Sequence, residues 1–288
     1  MNRMGLIGLL SYLVGVGAVA ADQTVVAAKV EQLPVVDGKA DDPAWSRARA
    51  IKTKDLITGE EVTLKAVYGG EQLFVLVQFP DKTENRDHKT QLWDEATKQY
   101  VTGPKREDTF VLKWSMEGDP VDLSLSSDTP NKADVWFWKA YRTDHAGYAD
   151  DKMDVYSISS LPQSKKRLSK KGNLFYLVRL GDAGQPAYDG AIFDEFVQPE
   201  MPGFVFHPPT GSRADVHAKG VWQAGVWTVE FGRKLQTGYT DDVQFNSQRR
   251  YQFGLSINEI AGRDPDPTAE NPLFGAGEVG ENLTLTFE

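Results

Sequence analysis

The sequence predicts an all-β protein, an antiparallel β-sandwich with long loops and few short helices. The prediction rests on short runs of alternating apolar and polar residues, turns rich in Gly, Pro and Asp, and little helical periodicity. Residues 62–68 and 73–79 alternate in this way, and the Gly69-Gly70 pair between them predicts a hairpin. Further strands are predicted at residues 109–116, 174–180, 226–231, 251–257 and 282–287.

Residues 24–288 are expected to form one domain, because no internal repeat or low-complexity linker divides them. This length is large for a sandwich, and the excess falls in predicted loops. The loops cover residues 81–105, 118–132, 162–172 and 262–280. Long loops in a compact domain often carry function, so ligand-binding residues are expected near them.

The first twenty residues have the composition of a secretory signal peptide. Arg3 precedes an uncharged run over residues 5–19, and Ala18-Val19-Ala20 supplies the small residues that signal peptidase recognises. The run is shorter than the roughly 20 residues needed to span a bilayer, which favours cleavage over a retained anchor helix. We therefore expect an exported, periplasmic protein, and no later segment is predicted to span a membrane.

The composition excludes several kinds of site. The chain has 288 residues, 41 acidic and 32 basic side chains, a formal charge of -9 and no cysteine. Disulfides, thiolate zinc sites, cysteine-ligated iron–sulfur clusters and thioether-attached haem are therefore impossible. A nucleic-acid partner is not expected, because phosphate binding needs positive charge.

The four histidines, His88, His145, His207 and His217, lack the close paired spacing of a zinc site. A lone histidine is most often a surface or loop residue. His207 and His217 flank a Pro-Pro-Thr-Gly-Ser turn and could approach each other in space. They are therefore the best imidazole candidates for a metal or a haem iron.

Met116 and a pair of tryptophans are the other candidate cofactor residues. Met116 ends a predicted strand and shares a face with Trp114, which suits either core packing or an axial thioether on a buried haem. Trp136 and Trp138 lie on one face of a strand, with Phe137 on the other. Two such indoles belong to a sandwich core or offer a platform for a sugar ring or a porphyrin.

Three groups of loop residues have a functional and an ordinary interpretation. Acidic clusters could hold Ca²⁺, although Asp pairs in loops usually make turns. A basic cluster could dock an acidic redox partner, although the ordinary interpretation is a solvated loop. Residues 275–280 match the letters of a dinucleotide motif, but no helix is predicted after them, so they are interpreted as turn glycines. The acidic clusters are Asp150-Asp151 with Asp154, Asp241-Asp242, and Asp264 with Asp266, and the basic cluster is Lys165-Lys166-Arg167 with Lys170-Lys171.

Several blocks of sequence resemble a known family. VDGKADDPAW at residues 36–45 resembles the opening of family 9 carbohydrate-binding modules and their relatives. Two further blocks are more specific. The first is DVWFWKAYRT from residue 134, followed by AGYADD. The second is PPTGSRADVHAKGVW from residue 208, followed by GVWTVEFGRKL and DDVQF. Together these blocks resemble the haem-binding domain related to the gamma subunit of ethylbenzene dehydrogenase and dimethylsulfide dehydrogenase.

The resemblance implies a β-sandwich, like that of family 9 carbohydrate-binding modules, with one non-covalent b-type haem between its sheets and a role in periplasmic electron transfer. It implies axial Met and Lys ligands, from the loop before the Trp-x-Trp strand and from the last loop. This sequence departs from that pattern, because residues 123–129 contain no Met, residues 262–280 contain no Lys, and Phe137 stands where many relatives have His. The donors chosen by their chemistry are Met116 with His217 or His207, and the reserves are Lys139, Lys219 and Lys234.

Two functions follow from these expectations. The first is an exported haem b protein, not itself catalytic, that relays electrons between a molybdoenzyme and a c-type cytochrome. The second is a non-redox module that binds carbohydrate or protein, with Trp136 and Trp138 stacking on a sugar. An independent hydrolase is not expected, because no nucleophile or paired carboxylates are evident.

Overall fold

The computed structural model describes residues 23–55, 58–118, 120–257, 279 and 282–288, and the predicted signal peptide at residues 1–20 lies outside them. Three short 3₁₀ helices occupy Pro43–Ser46, Asp144–Ala146 and Gly211–Ala214. The strands are β1 Gln23–Lys29, β2 Ile51–Lys54, β3 Glu61–Gly69, β4 Gln72–Pro80, β5 Gln91–Asp94, β6 Gln99–Thr102, β7 Thr109–Ser115, β8 Asn131–Lys139, β9 Asp150–Ser157, β10 Lys165–Leu168, β11 Leu174–Gly181, β12 Tyr188–Gly190, β13 Glu200–Met201, β14 Phe204–Phe206, β15 His217–Gln223, β16 Val226–Lys234, β17 Tyr251–Ile257 and β18 Leu283–Phe287.

The strands form two large sheets that share β1. Sheet A has the order β10-β11-β9-β8-β7-β17-β18-β1, and sheet B has the order β1-β3-β4-β16-β15, with β2 also paired to β3. Residues 23–27 of β1 pair with β18, and Ala28 and Lys29 pair with β3. The predicted β-sandwich is confirmed. Its strand pairings are antiparallel among the described residues except for the two pairings of β1, which are parallel and make the sheets mixed.

The predicted all-β class and strands are confirmed within a few residues. The first predicted hairpin joins β3 to β4, with Gly69 opposite Gln72 and positive φ angles at Gly70 and Glu71. Two of the predicted loops contain short strands. Residues 81–105 contain β5 and β6, and residues 162–172 contain β10.

The main core lies between the inner faces of the two sheets, and aromatic residues dominate it. Trp138 of β8 meets Trp227 of β16 with ring centroids 4.9 Å apart, and Phe79 of β4 stacks on Phe110 of β7 at 5.2 Å. These contacts join sheet A to sheet B. Such close aromatic pairs stabilise a core beyond the effect of their buried area.

The outer face of each sheet is also covered. On sheet B, Trp45 packs over Val67 and Phe74, and its indole N–H donates to the buried Glu230 carboxylate at 2.7 Å. On sheet A, Leu123 and Val279 pack on the residues of β7 and β8 that point outward. Leu123, before β8, and Val279, before β18, therefore lie on one surface, the outer face of sheet A.

No helix in the described part of the chain is long and apolar enough to cross a membrane.

Substitution of Gly220 in β15 tests how tightly the two sheets pack. A Cβ atom there would lie 2.3 Å from Cζ2 of Trp138, whose ring is fully buried. Gly220→Ala is expected to lower the free energy of unfolding by about 1–3 kcal/mol, the usual cost of overpacking. Urea unfolding followed by tryptophan fluorescence measures this. Gly190→Ala, where a Cβ meets nothing within 4 Å, is the control, and an equal loss in both variants would contradict the packing argument.

Candidate functional site

A cavity of about 570 Å³ opens at the end of β7, beside Met116. Its wall includes Arg249, Arg250 and Tyr251, and Asp242 borders it from the loop after β16. Met116 is partly buried against the main core, and its backbone N–H donates to the Lys132 carbonyl at 3.1 Å. The size of the cavity falls within the range of ligand sites, and it combines one thioether with two guanidinium groups.

A buried group of charges lies next to this cavity, between the ends of the two sheets. Four carboxylates, Asp134 of β8, Asp151 of β9, Asp182 after β11 and Asp242, form what we call the carboxylate cluster, and all are at least nine-tenths buried. Arg233 of β16 is the cation nearest to them. It donates to Asp134 at 2.6 Å and lies 3.4 Å from Asp242, and its guanidinium covers the Trp136 ring at 4.9 Å.

Much of the hydrogen-bonding capacity of the cluster is unused. Both carboxylate oxygens of Asp151 and of Asp182 lack a hydrogen-bond partner, as does one oxygen each of Asp134 and Asp242. Burial, with the nearby Asp134 carboxylate, raises the pKa of Asp151 well above its usual range and that of Asp182 to about 8. Burial also raises the pKa of Asp134 and of Asp242. Four carboxyls thus share one guanidinium, an arrangement that costs free energy unless protons or a cation balance it.

The structure does not bring Met116 and His217 together. Met116 lies beside Lys132, at the start of β8. His217 forms a bridge to Tyr148, which precedes β9 and lies near the other end of β8, where Phe137 pairs with β9. Six residues of strand separate these levels, which corresponds to about 20 Å. One iron could therefore take one of these two donors but not both in this arrangement.

The other histidines lie in separate environments. His217 is exposed, stacks on Tyr148 at 4.6 Å, and its pKa is lowered by partial burial. His207 lies after β14, and its Nε2 is 2.9 Å from a carboxylate oxygen of Asp189. His145 packs against Phe206 at 3.9 Å. The structure shows no contact between His207 and His217.

Trp136 and Trp138 belong to the core. Both are 0% exposed, and the Trp138 indole N–H donates to Asp144 at 2.9 Å. Neither ring presents a face to solvent, so a sugar could not stack on them without separation of the sheets. The prediction that they form a sugar platform is therefore wrong as a description of this arrangement.

The reserve lysines have other partners or are exposed. Lys139 is buried in an ion pair with Asp150, and burial lowers its pKa to about 8. Lys219 donates to Asp144 at 2.9 Å. Lys234 is exposed at the end of β16. None of the three lines the cavity beside Met116.

The predicted acidic clusters divide between ion pairs and the carboxylate cluster. Asp150 pairs with Lys139 and Arg213, and Asp154 lies 3.4 Å from the buried Lys113. Asp151 and Asp242, from two different predicted clusters, meet in the carboxylate cluster. Asp264 and Asp266 lie outside the described residues. So do the predicted turn residues 275–280, apart from Val279.

The predicted basic cluster lies at the edge of sheet A. Lys165 and Lys166 are exposed in β10, the terminal strand of that sheet, and Lys170 pairs with the exposed Asp122 at 2.7 Å. Exposed lysines on an edge strand also discourage unwanted strand pairing.

Sequence reasoning missed Arg233, Asp134 and Asp182. The signal was present, because Asp134 and Arg233 occupy positions of β8 and β16 at which the alternation predicts inward side chains. A charge at an inward position indicates a buried partner. The sequence does not show which strand supplies it.

The segment that would carry the implied Met lies against the outer face of sheet A, where Leu123 packs on Val111 and Val135. The sequence places no Met in that segment and no Lys in the last loop, which lies outside the described residues apart from Val279. The implied pair of ligands is therefore absent from these segments. The cavity beside Met116 places a thioether donor next to open space.

Comparisons with known proteins give a family and distant structural likenesses. A family model described as ethylbenzene dehydrogenase matches residues 42–259. A family 9 carbohydrate-binding module from Caldicellulosiruptor kristjanssonii, solved with cellotriose, is 12% identical with a TM-score of 0.40, over 92% of this chain and 95% of that one. A putative carbohydrate-binding protein from Bacteroides uniformis is 9% identical with a TM-score of 0.42, over 92% and 99%. No curated protein matches the sequence.

Arg233 is expected to be the most sensitive charged residue of the site. Arg233→Met leaves the buried carboxylates without their guanidinium, and removal of one partner of a buried ion pair costs about 3–5 kcal/mol. Urea unfolding at pH 7 with EDTA measures this loss. Lys234→Met, on the exposed neighbour in the same strand, is expected to change stability by less than about 0.5 kcal/mol. A similar small change for Arg233→Met would contradict the role assigned to the guanidinium.

Proposed function

Because the chain belongs to the ethylbenzene dehydrogenase family, we propose that it is a non-catalytic electron-transfer subunit of an exported oxidoreductase and that it holds one b-type haem. The family match over residues 42–259 carries this proposal. The signal-like N-terminus supports a periplasmic location. The partners would be the catalytic molybdoenzyme and a c-type cytochrome.

Met116 is the proposed haem ligand of this chain. Its thioether borders the cavity at the end of β7, and a thioether is a donor that haem iron accepts. Arg249 and Arg250 line the same cavity and would pair with the two propionates, because guanidinium groups bind carboxylates in a bidentate manner. When bound, the haem would supply one-electron redox chemistry. Met116 would hold the iron, and the two arginines would neutralise the propionates.

The proposal assigns no second axial ligand from the cavity wall. The described lining residues include no His or Lys, and His217 lies at the other end of β8. Iron held by Met116 alone is expected to be high-spin or to take a ligand from solvent. The choice of Met116 with His217 as a pair stays a prediction, and the spectrum distinguishes it from Met116 alone.

The exposed lysines of β10 are the proposed docking surface for an acidic redox partner. Lys165 and Lys166 project from an edge strand, on a chain whose overall charge is negative. A local positive patch steers an acidic partner to one orientation and raises its association rate at low salt.

Haem titration of the purified mature protein tests the proposed function. We expect a Soret band that saturates at one haem per chain and shifts on reduction. Met116→Leu, which conserves volume, should weaken haem binding by at least about tenfold, the usual effect of a lost iron ligand or of its support. The matched control is Met201→Leu, in β13, and His217→Ala should leave the spectrum unchanged.

Three outcomes would contradict this proposal. A visible spectrum without a specific Soret band at saturating haem would favour a non-redox binding module on the same sandwich. An equal effect of Met116→Leu and Met201→Leu would remove Met116 from the site. A low-spin spectrum that His217→Ala converts to high-spin would restore the pair of ligands that the sequence predicts.

A further inference from the structure

We propose that the carboxylate cluster, Asp134, Asp151, Asp182 and Asp242, is a binding site for one Ca²⁺ ion, separate from the haem. The electron-transfer function assigns no role to these buried carboxylates, of which Asp242 also borders the cavity beside Met116. It does not depend on haem binding, and each can fail without the other.

The geometry of three carboxylates fits a single ion. Asp134, Asp151 and Asp242 each offer an oxygen, and these three oxygens all lie within 4.8 Å of one another. Two oxygens on opposite sides of a Ca²⁺ ion, at its usual bond length, are about 4.6–5.2 Å apart. The three side chains come from β8, β9 and the loop after β16, so the folded sandwich brings them together before any ion binds.

Asp182 provides an independent observation. It follows β11, is 5% exposed, and neither of its carboxylate oxygens has a hydrogen-bond partner. Its side chain lies beside that of Asp151, and its backbone N–H donates to the Asp151 carbonyl at 3.4 Å. A buried carboxylate without a donor is costly, and a second one beside it adds repulsion. Only a cation or a proton placed between them removes that cost.

The number of unused oxygens favours Ca²⁺ over Mg²⁺. Four oxygens of Asp134, Asp151 and Asp242, the three carboxylates close enough to share one ion, lack a hydrogen bond, and so do both oxygens of the neighbouring Asp182; Ca²⁺ takes six to eight oxygen ligands. Mg²⁺ usually keeps several waters in its coordination shell. Asp134 and Asp151 are 0% exposed, which leaves little room for such waters. A transition metal is disfavoured because no imidazole, thioether or thiolate belongs to the cluster.

The charge balance and the access path agree with a divalent ion. Arg233 neutralises one of four carboxylates and is held by Asp134 and by the Val243 carbonyl, so it cannot serve all of them. Asp242 borders the cavity beside Met116, through which an ion could reach the cluster from solvent. A bound Ca²⁺ would thereby join the ends of β8 and β9 to the loop after β16.

Calcium binding to the mature, haem-free protein tests the site. After treatment with EDTA, calorimetric titration with CaCl₂ is expected to show one ion per chain, and Ca²⁺ should raise the melting temperature by several degrees. Asp151→Asn and Asp182→Asn should each weaken binding by at least about tenfold. Both variants should be at least as stable as the wild type in EDTA, because each removes a buried charge. Asp194→Asn, on an exposed loop carboxylate, is the control.

Terbium luminescence gives a second readout that does not depend on stability. Tb³⁺ replaces Ca²⁺ in oxygen sites, and Trp136 pairs with Asp151 across the β8–β9 ladder, so excitation of tryptophan should sensitise bound Tb³⁺. Ca²⁺ should compete the signal away. Trp136→Phe should reduce it, whereas Trp93→Phe, in β5, should not.

The results that overturn the proposal are specific. Absence of heat and of a melting shift at millimolar Ca²⁺ would mean that the carboxyls share protons instead. Binding that survives both Asp151→Asn and Asp182→Asn would place the ion elsewhere. Equal sensitisation of Tb³⁺ in the two tryptophan variants would do the same.

Discussion

The packing of β8 against β16 is the constraint on which the rest of the structure depends. Along these two strands, one from each sheet, three successive levels face each other. Trp138 meets Trp227, Trp136 meets Phe231, and Asp134 binds Arg233. The first two levels are aromatic, and the third is a buried ion pair. At this end of the sandwich, a buried ion pair therefore follows the last layer of apolar core residues.

The ion pair explains why so many acids gather at one end of the molecule. A buried Arg233 needs a carboxylate, and Asp134 supplies it, but the loop after β16 and the end of β11 bring further acids to the same place. Each added carboxylate is desolvated, and none brings its own cation. A purely structural ion pair would be more stable without these extra acids. The proposed Ca²⁺ site accounts for these extra acids, because a bound cation would balance their charge.

Much of the fold could be predicted from the sequence, because strand alternation is a local property. Residues 62–68 and 73–79 contain the information for their own hairpin, and β3 and β4 form there. The parallel pairing of β1 could not be predicted, since it depends on a strand at the other end of the chain. For the same reason the sequence showed that Met116 points inward but not that His217 lies at the far end of β8. Pair distances across sheets depend on register, which composition does not encode.

The carboxylate cluster also could not be predicted from the sequence, because its members are far apart in the chain. Asp151 and Asp242 belong to separate acidic groups in the sequence, where each is most simply a turn residue. Their neighbours Asp150 and Asp241 do have ordinary roles, in an ion pair and in hydrogen bonds to Ala183 and Ser212. Asp150 and Asp151 are adjacent on β9 and therefore point to opposite faces, so alternation separates a structural aspartate from a candidate ligand within that dipeptide. Asp241 and Asp242 lie in the loop after β16, where the path of the loop separates them.

The two faces of β7 and β8 also decide where cofactor chemistry can lie in this chain. On the outer face, Leu123 and Val279 pack on aliphatic residues of both strands, and Phe137 lies there where the resemblance leads one to expect His. At the end of the inner face, the thioether of Met116 borders a cavity, and the unused carboxylates lie beside it. A cofactor bound by this chain would therefore contact different residues of the same strands from those that the family pattern implies.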